Sequence, residues 1–408
     1  MDIREFLETS YTAYHAVGNA EERLVGEGFV ELDPGAEWEI KEGGKYYCKV
    51  NGSAIFAIRI GKADGDLTIA CAHTDSPCLK VKGKALLDSP EGKRINVEKY
   101  GGLILYSMLD IPLRIAGRVL VRTERGVESR LVKSDFSVNI PSLCIHHNPD
   151  VNDKFALNVQ SDMLPLLGDA EDVYTAIGVP DALDADLYVV PDVKPYLSGK
   201  EGKYLVSPRI DNLTSVYACI EGIVTAEPAG IAVAACFDNE EIGSGTKQGA
   251  ESAFLPELLH RVMTALGRDE ASYAKARRDG LVLSVDNGHA VHPAHPEKSD
   301  VAEKVYFNGG IVIKHHANYA TDGLSSAKIK AILLDAGIPY QDYYNRSDLR
   351  CGGTLGLLVA KQLVMSVADI GLAQLAMHSA VETVGSEDIA RMTGCIRALF
   401  AASKENRL

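Results

Sequence analysis

The chain has 408 residues, 46% hydrophobic and 24% charged, an ordinary globular composition with room for two domains. Its formal net charge of −14 argues against nucleic-acid or anionic-membrane partners, since both need clustered lysine and arginine. No apolar run reaches the roughly 20 residues that span a bilayer.

The opening Met-Asp-Ile-Arg-Glu-Phe lacks the basic start and apolar core of a signal peptide. Eight cysteines are scattered without a Cys-x-x-Cys pair, and Cys71, Cys219 and Cys236 sit inside apolar runs. They read as buried thiols of a reducing cytoplasm.

Residues 2 to about 27 read as helical, with Ile3, Phe6 and Leu7 on one face and Gly26-Glu-Gly28 closing the segment. A hairpin turning at Asn51-Gly52 follows. Leu67-Thr-Ile-Ala-Cys-Ala72 then runs apolar and stops at His73-Thr74-Asp75. From about 81 to 200 alternating segments such as Gly117-Arg-Val-Leu-Val-Arg122 are separated by turn residues, and helical periodicity fades. This predicts a β-rich domain at 81–200, inserted between segments 1–80 and 201–408 of a catalytic domain.

The α/β pattern resumes at Ser207-Pro-Arg-Ile-Asp211. Leu213, Val216, Tyr217, Ile220, Ile223 and Val224 share a helical face, which places Asp211 at or near that helix's start. The run Ile231–Phe237 stops at Asp238-Asn239-Glu240-Glu241, and Leu281–Val285 stops at Asp286. Helices are expected over 247–266 and 325–336, and after Gly352-Gly353-Thr-Leu-Gly356. The apolar Leu375-Ala-Met377 ends at His378, and an amphipathic helix closes the chain.

Four apolar runs that each stop at a histidine or carboxylate suggest one ligand rim, because crevices in open α/β sheets lie beyond the strands' carboxyl ends. Clustered buried carboxylates need cations. His73, Asp211, Glu241, Asp286 and His378 form an oxygen-and-nitrogen set suited to two divalent ions. Alone, each has a plainer reading: a core histidine, a helix cap at Asp211, a solvated acidic turn. Of the adjacent Glu240 and Glu241, one binding metal and one acting as general base relieves their repulsion, which suits Glu241 and Glu240 respectively. Asp75 can orient an imidazole. Gly352-Gly353-Thr354 is either a tight turn or a source of backbone N–H groups for an oxyanion.

Other motifs are weaker. His289-x-x-His292-x-x-His295 contains Pro293 and Pro296, which forbid a ligand helix. Cys144-Ile-His146-His147 has no partner pair for a zinc knuckle, and Gly243-Ser-Gly245-Thr-Lys247 lacks P-loop spacing.

The segments His73-Thr-Asp-Ser-Pro-Cys-Leu-Lys-Val-Lys82, Ser207-Pro-Arg-Ile-Asp-Asn212 and Asp238-Asn-Glu-Glu-Ile-Gly-Ser244 closely resemble the aspartyl aminopeptidase family of two-metal aminopeptidases. So do His289-Ala-Val-His-Pro293, Cys351-Gly-Gly-Thr-Leu-Gly356, Gln374-Leu-Ala-Met-His-Ser379 and, in the insert, Ile140-Pro-Ser-Leu-Cys-Ile-His146. The resemblance implies a zinc-peptidase-type α/β/α sandwich with a β-rich dimerisation insert, six dimers assembling into a dodecamer. It implies that His73, Asp211, Glu241, Asp286 and His378 bind two metals with Asp211 bridging, that Glu240 is the base, and that Asp75 orients His73. His146 matches a histidine that reaches a neighbouring subunit's site, while Lys314 and Tyr319 fall where the family holds an acidic substrate side chain. The stretch between them is shorter than in acidic-specific relatives and carries His315-His316.

The expected activity is removal of the N-terminal residue from peptides with a free amino end, with Zn²⁺ first and Mn²⁺ or Co²⁺ as substitutes. A related amidase or deacylase, or a non-catalytic scaffold of the same fold, is the rival; an intact Glu240 speaks against the scaffold.

Overall fold

Leu67–His73, Ile231–Phe237 and Leu281–Val285 are fully buried, mutually parallel strands at the centre of a nine-stranded sheet. Phe237 lies in register with His73, and Ser284 with Cys71. The residues at and just beyond these strand ends, His73, Asp238 and Asp286, therefore emerge at one edge. The structure is a computed structural model and describes residues 1–62 and 64–402; the last residues of the expected 201–408 segment lie outside it.

Because side chains alternate across a strand, each central strand feeds two cores. Ala232, Ala234 and Cys236 pack with the helices Ile3–Thr9, Ala13–Gly26, Ile210–Thr225, Gly323–Asp335 and Asp388–Ala401. Ile231, Val233, Ala235 and Phe237 pack with Phe254–Ala265, Glu270–Asp279 and Gly356–Leu363. The result is a mixed α/β fold with helices on both faces, as the fold class predicts. Small residues on the first face (Ala70, Ala72, Ala232, Ala234) admit helix Ile210–Thr225 against the sheet, which carries Asp211 to its rim.

A second, six-stranded antiparallel sheet lies within Cys78–Pro191 and has its own core around Leu79, Ile95, Ile115, Val119 and Leu187. A third sheet pairs Tyr204–Ser207 with Glu382–Gly385, and Glu382–Gly385 with Ala373–Leu375.

Three local expectations need correction. The helical segment over residues 2 to about 27 is interrupted, forming two helices, Ile3–Thr9 and Ala13–Gly26. Hydroxyls in the break compete with helical hydrogen bonds, and Asn19 Nδ2 donates to Thr9 Oγ1 and Ser10 Oγ, both at 2.9 Å. The helix expected from 247 begins at Phe254. Residues ahead of it are engaged elsewhere: Asp238 N donates to the Gln248 carbonyl, and Gln248 Nε2 donates to Asn239 Oδ1. Third, the run ending at His378 lies outside the central sheet, since only Ala373–Leu375 is a strand and it belongs to the third sheet.

Candidate metal centre

The structure brings all five expected ligands to the C-terminal rim of the central sheet. Asp211 stands between the two histidines: Oδ1 is 3.5 Å from His73 Nε2, and Oδ2 is 3.5 Å from His378 Nε2. Asp286 Oδ1 is 3.7 Å from His73 Nε2, and Glu241 Oε1 is 3.3 Å from His378 Nε2. One carboxylate is thus flanked on each side by an imidazole and a further acid. Asp211 does not cap its helix: it lies in the first turn with non-helical angles (φ −82°, ψ 107°), and the residue at the cap position, Arg209, makes no side-chain capping bond.

These donors fit divalent metal. Ligand atoms of His73, Asp211 and Glu241 lie within 4.8 Å of one another, and the buried Asp211 Oδ1 accepts no hydrogen bond. Imidazole and carboxylate are the donors zinc takes. The local field points the same way. Burial opposes charge on His73, but Asp211, Asp286 and Asp75 raise its pKa well above the ordinary value. Burial likewise opposes charge on His378, which Asp211 and Glu241 nonetheless hold up at about 11. The cluster draws positive charge.

Asp75 is fixed from several directions. Its Oδ1 lies 3.3 Å from His73 Nδ1 and accepts the Glu240 N–H at 3.1 Å. Its Oδ2 accepts the Tyr100 hydroxyl at 2.7 Å and the Glu241 N–H at 3.2 Å. Asn239 Nδ2 donates to Tyr100 Oη at 2.8 Å, and Asn239 Oδ1 accepts from Thr246 and Gln248. Glu240 and Glu241 follow this anchored loop. Burial pushes the Glu240 carboxyl up to about 8 and raises Glu241 as well.

Glu382, absent from the sequence expectations, organises the other side. Its Oε2 accepts the Asp211 N–H at 2.9 Å and its Oε1 the His378 N–H at 2.7 Å. The pairing of Ser207 with Glu382 in the third sheet brings these segments together. Arg209, Asn239, Ala376 and His378 all hold left-handed backbone (φ 56–66°), a strained state for such residues that surrounding bonds must enforce.

Tyr100-Gly101-Gly102 closes the site from the second sheet. The Gly102 carbonyl lies 3.3 Å from His378 Nδ1. A Cβ at Gly102 would come within 2.9 Å of that nitrogen, and one at Gly101 within 3.1 Å of Glu241 Cβ. The paired glycines were the sequence signal for this contact. Asp238 was also missed; burial, and then Asp75, push its carboxyl up to about 7.

The remaining expected residues divide. Glu240, Lys314, Tyr319 and Gly353 line one cleft with the metal-type ligands, together with His289, Tyr343 and Asn345. Lys314 is buried, with Nζ 3.6 Å from Asp286 Oδ2 and 5.6 Å from the centre of the Tyr319 ring. Gly353 is exposed, and a Cβ there would meet nothing within 4 Å, so space does not demand glycine. His146 lies on an exposed loop of the Cys78–Pro191 region, outside this cleft.

The chain matches the family model for aminopeptidase I zinc metalloprotease (M18) over residues 6–175 and 170–400. It is 36% identical to a probable M18 family aminopeptidase 2 of Clostridium acetobutylicum, with 94% of each chain covered. It superimposes on a chain from the cryo-EM structure of the Ape4 and Nbr1 complex with a TM-score of 0.92 and 30% identity, covering 97% of this chain and 84% of that one. Against the S. cerevisiae mApe1 dodecamer the TM-score is 0.86 at 25% identity, covering 99% and 96%. Metal-type donors on the rim of an α/β sheet and a family match along nearly the whole chain give one conclusion: this chain belongs to the M18 family of zinc aminopeptidases.

Proposed function

We propose that the M18 activity runs here on two divalent ions, zinc first with Mn²⁺ or Co²⁺ as substitutes, held by His73, Asp286, His378 and Glu241 with Asp211 shared. The observation that carries this reading is Asp211 itself, one oxygen 3.5 Å from each histidine. When bound, such ions supply Lewis acidity at the scissile carbonyl and compensate the clustered acids. Asp75 holds His73 in orientation through Nδ1. Glu240, whose N–H is pinned by Asp75, takes a proton from the attacking water and returns it to the leaving amine. Carboxylates of the cleft receive the free α-amino group, which restricts cleavage to N-terminal residues. Gly353 offers backbone N–H to the substrate from the exposed side of the cleft.

Lys314 and Tyr319 face the substrate side chain in this reading. With Asp286 committed to a cation, the buried Lys314 ammonium calls for another carboxylate, which favours substrates beginning with Asp or Glu. We further read residues 81–200 as a dimerisation insert, with dimers building a dodecamer and exposed His146 serving the neighbouring subunit's site. Exposed Leu143, Ile145 and Phe155 in the same loop region support a covered surface there. Among the described residues no helix is long and apolar enough to cross a membrane, and all eight cysteines are free, which supports a cytoplasmic setting.

The test is release of free amino acids from a panel of aminoacyl substrates, before and after chelation. We expect chelation to abolish release and added Zn²⁺, Mn²⁺ or Co²⁺ to restore it to different extents. Full activity after exhaustive demetallation overturns the reading.

A further inference from the structure

Helix Ile3–Thr9, the end of strand Ala182–Pro191 and the segment entering Ile210–Thr225 meet at a pocket that shares no lining residue with the substrate cleft. It gathers Arg114, Lys133, Lys194 and Arg209 around Tyr11, against two acids, Glu8 and Asp192. Two of these cations are paired, Arg114 with Asp192 at 2.6 Å and Lys194 with Glu8 at 2.8 Å. Among the described residues, Arg209 and Lys133 form no ion pair.

Arg209 is only 8% exposed. It donates to the Pro191 carbonyl at 3.2 Å and the Leu7 carbonyl at 3.1 Å, while its buried Nε donates to nothing. Arg114 Nε is also buried and unpartnered. Three cations surround the Tyr11 ring: Lys133 Nζ at 5.2 Å, Arg209 Cζ at 5.7 Å and Arg114 Cζ at 5.9 Å from its centre. Attraction to one ring is weak compensation for a guanidinium removed from water. The charge calls for an anion, and guanidinium forks match oxyanions.

We propose that this pocket binds a small tetrahedral oxyanion of the phosphate or sulfate class, held by Arg209 and Arg114 with Lys133 at its mouth. Two cations in excess of acids, on a chain of net charge −14, mark a local site rather than general basicity. Arg209 already ties the carbonyls of Leu7 and Pro191 to the segment bearing Asp211. An oxyanion there joins helix Ile3–Thr9, the six-stranded sheet and that segment through one countercharge.

Sulfate is the probe, titrated calorimetrically into the metal-loaded protein at constant ionic strength set with sodium chloride. We expect saturable binding of one sulfate per chain with a matching rise in Tm. The Lys133→Ala variant alters an exposed side chain and should fold normally, with sulfate affinity lower by about tenfold, as for loss of one charged hydrogen bond. A wild-type protein with no saturable sulfate binding overturns the proposal. So does unchanged affinity in Lys133→Ala, which would place the sulfate elsewhere, the metal centre included.

Discussion

The Lys314 ammonium lies 3.6 Å from Asp286 Oδ2 inside the substrate cleft, so one residue expected to read the substrate touches another expected to bind metal. Lys314→Ala should lower kcat/KM for Glu and Asp substrates by about 30-fold more than for Leu substrates, the scale of one partner lost from a buried charge pair. Equal losses on all three would assign Lys314 to Asp286 alone. A wild-type preference for Leu or Ala would remove the acidic reading.

Glu240→Gln should retain metal and fold yet lose roughly 10²–10⁴ in turnover, the usual share of a general base. Metal content and kcat are measured on the same preparation. Near-normal turnover would take Glu240 out of the mechanism.

Glu382 accepts the N–H groups of two ligand residues, Asp211 and His378. In Glu382→Gln one of these N–H groups loses a carboxylate oxygen and gains an amide as neighbour. Zinc affinity, measured by chelator competition, should fall by roughly 10–100-fold, as for other groups that orient ligands. Restored turnover at saturating zinc would separate this positioning role from chemistry, whereas unchanged affinity would count against it.

His146 can be tested by mixing subunits. Glu240→Gln and His146→Ala homo-oligomers should each be nearly inactive, while co-expressed subunits regain activity because a His146→Ala site keeps its own Glu240 and borrows His146. Inactive mixed oligomers, with mixing confirmed by tag pull-down, would deny action between subunits.

His15 offers a stability test outside the substrate cleft. Burial, then Arg209 and Lys133, depress its pKa to about 4. The unfolded chain, with an ordinary value near 6.5, takes up that proton first. Stability is therefore lost as pH falls from about 6.5 toward 4, by at most ~3 kcal/mol. His15→Gln should flatten urea midpoints across this window relative to wild type. An unchanged slope would show that His15 does not contribute.

The central strands were legible because continuous apolar runs have few alternatives once buried on both faces. Ile231–Phe237 and Leu281–Val285 match their predicted bounds. The break at Ser10–Thr12 was not legible, since periodicity carries across a short interruption that side-chain hydrogen bonds create. Most metal-type donors stood out as acids and histidines that end apolar runs, and Asp211 as an acid at a helix start. Glu382 did not, because its role depends on pairing between strands distant in sequence. Tyr100 and Asn239 were hidden for the same reason: a relay of hydrogen bonds leaves no spacing to read.

Tyr100 and Gly102 belong to the region that also carries the six-stranded sheet, yet one donates to Asp75 and the other meets His378 Nδ1. Excising that region to make a smaller enzyme would spare every expected metal ligand, yet it would strip His378 of its Nδ1 partner and strip Asp75, which faces His73 Nδ1, of the Tyr100 hydroxyl. The compact form would be complete in its list of ligands and wrong in their aim.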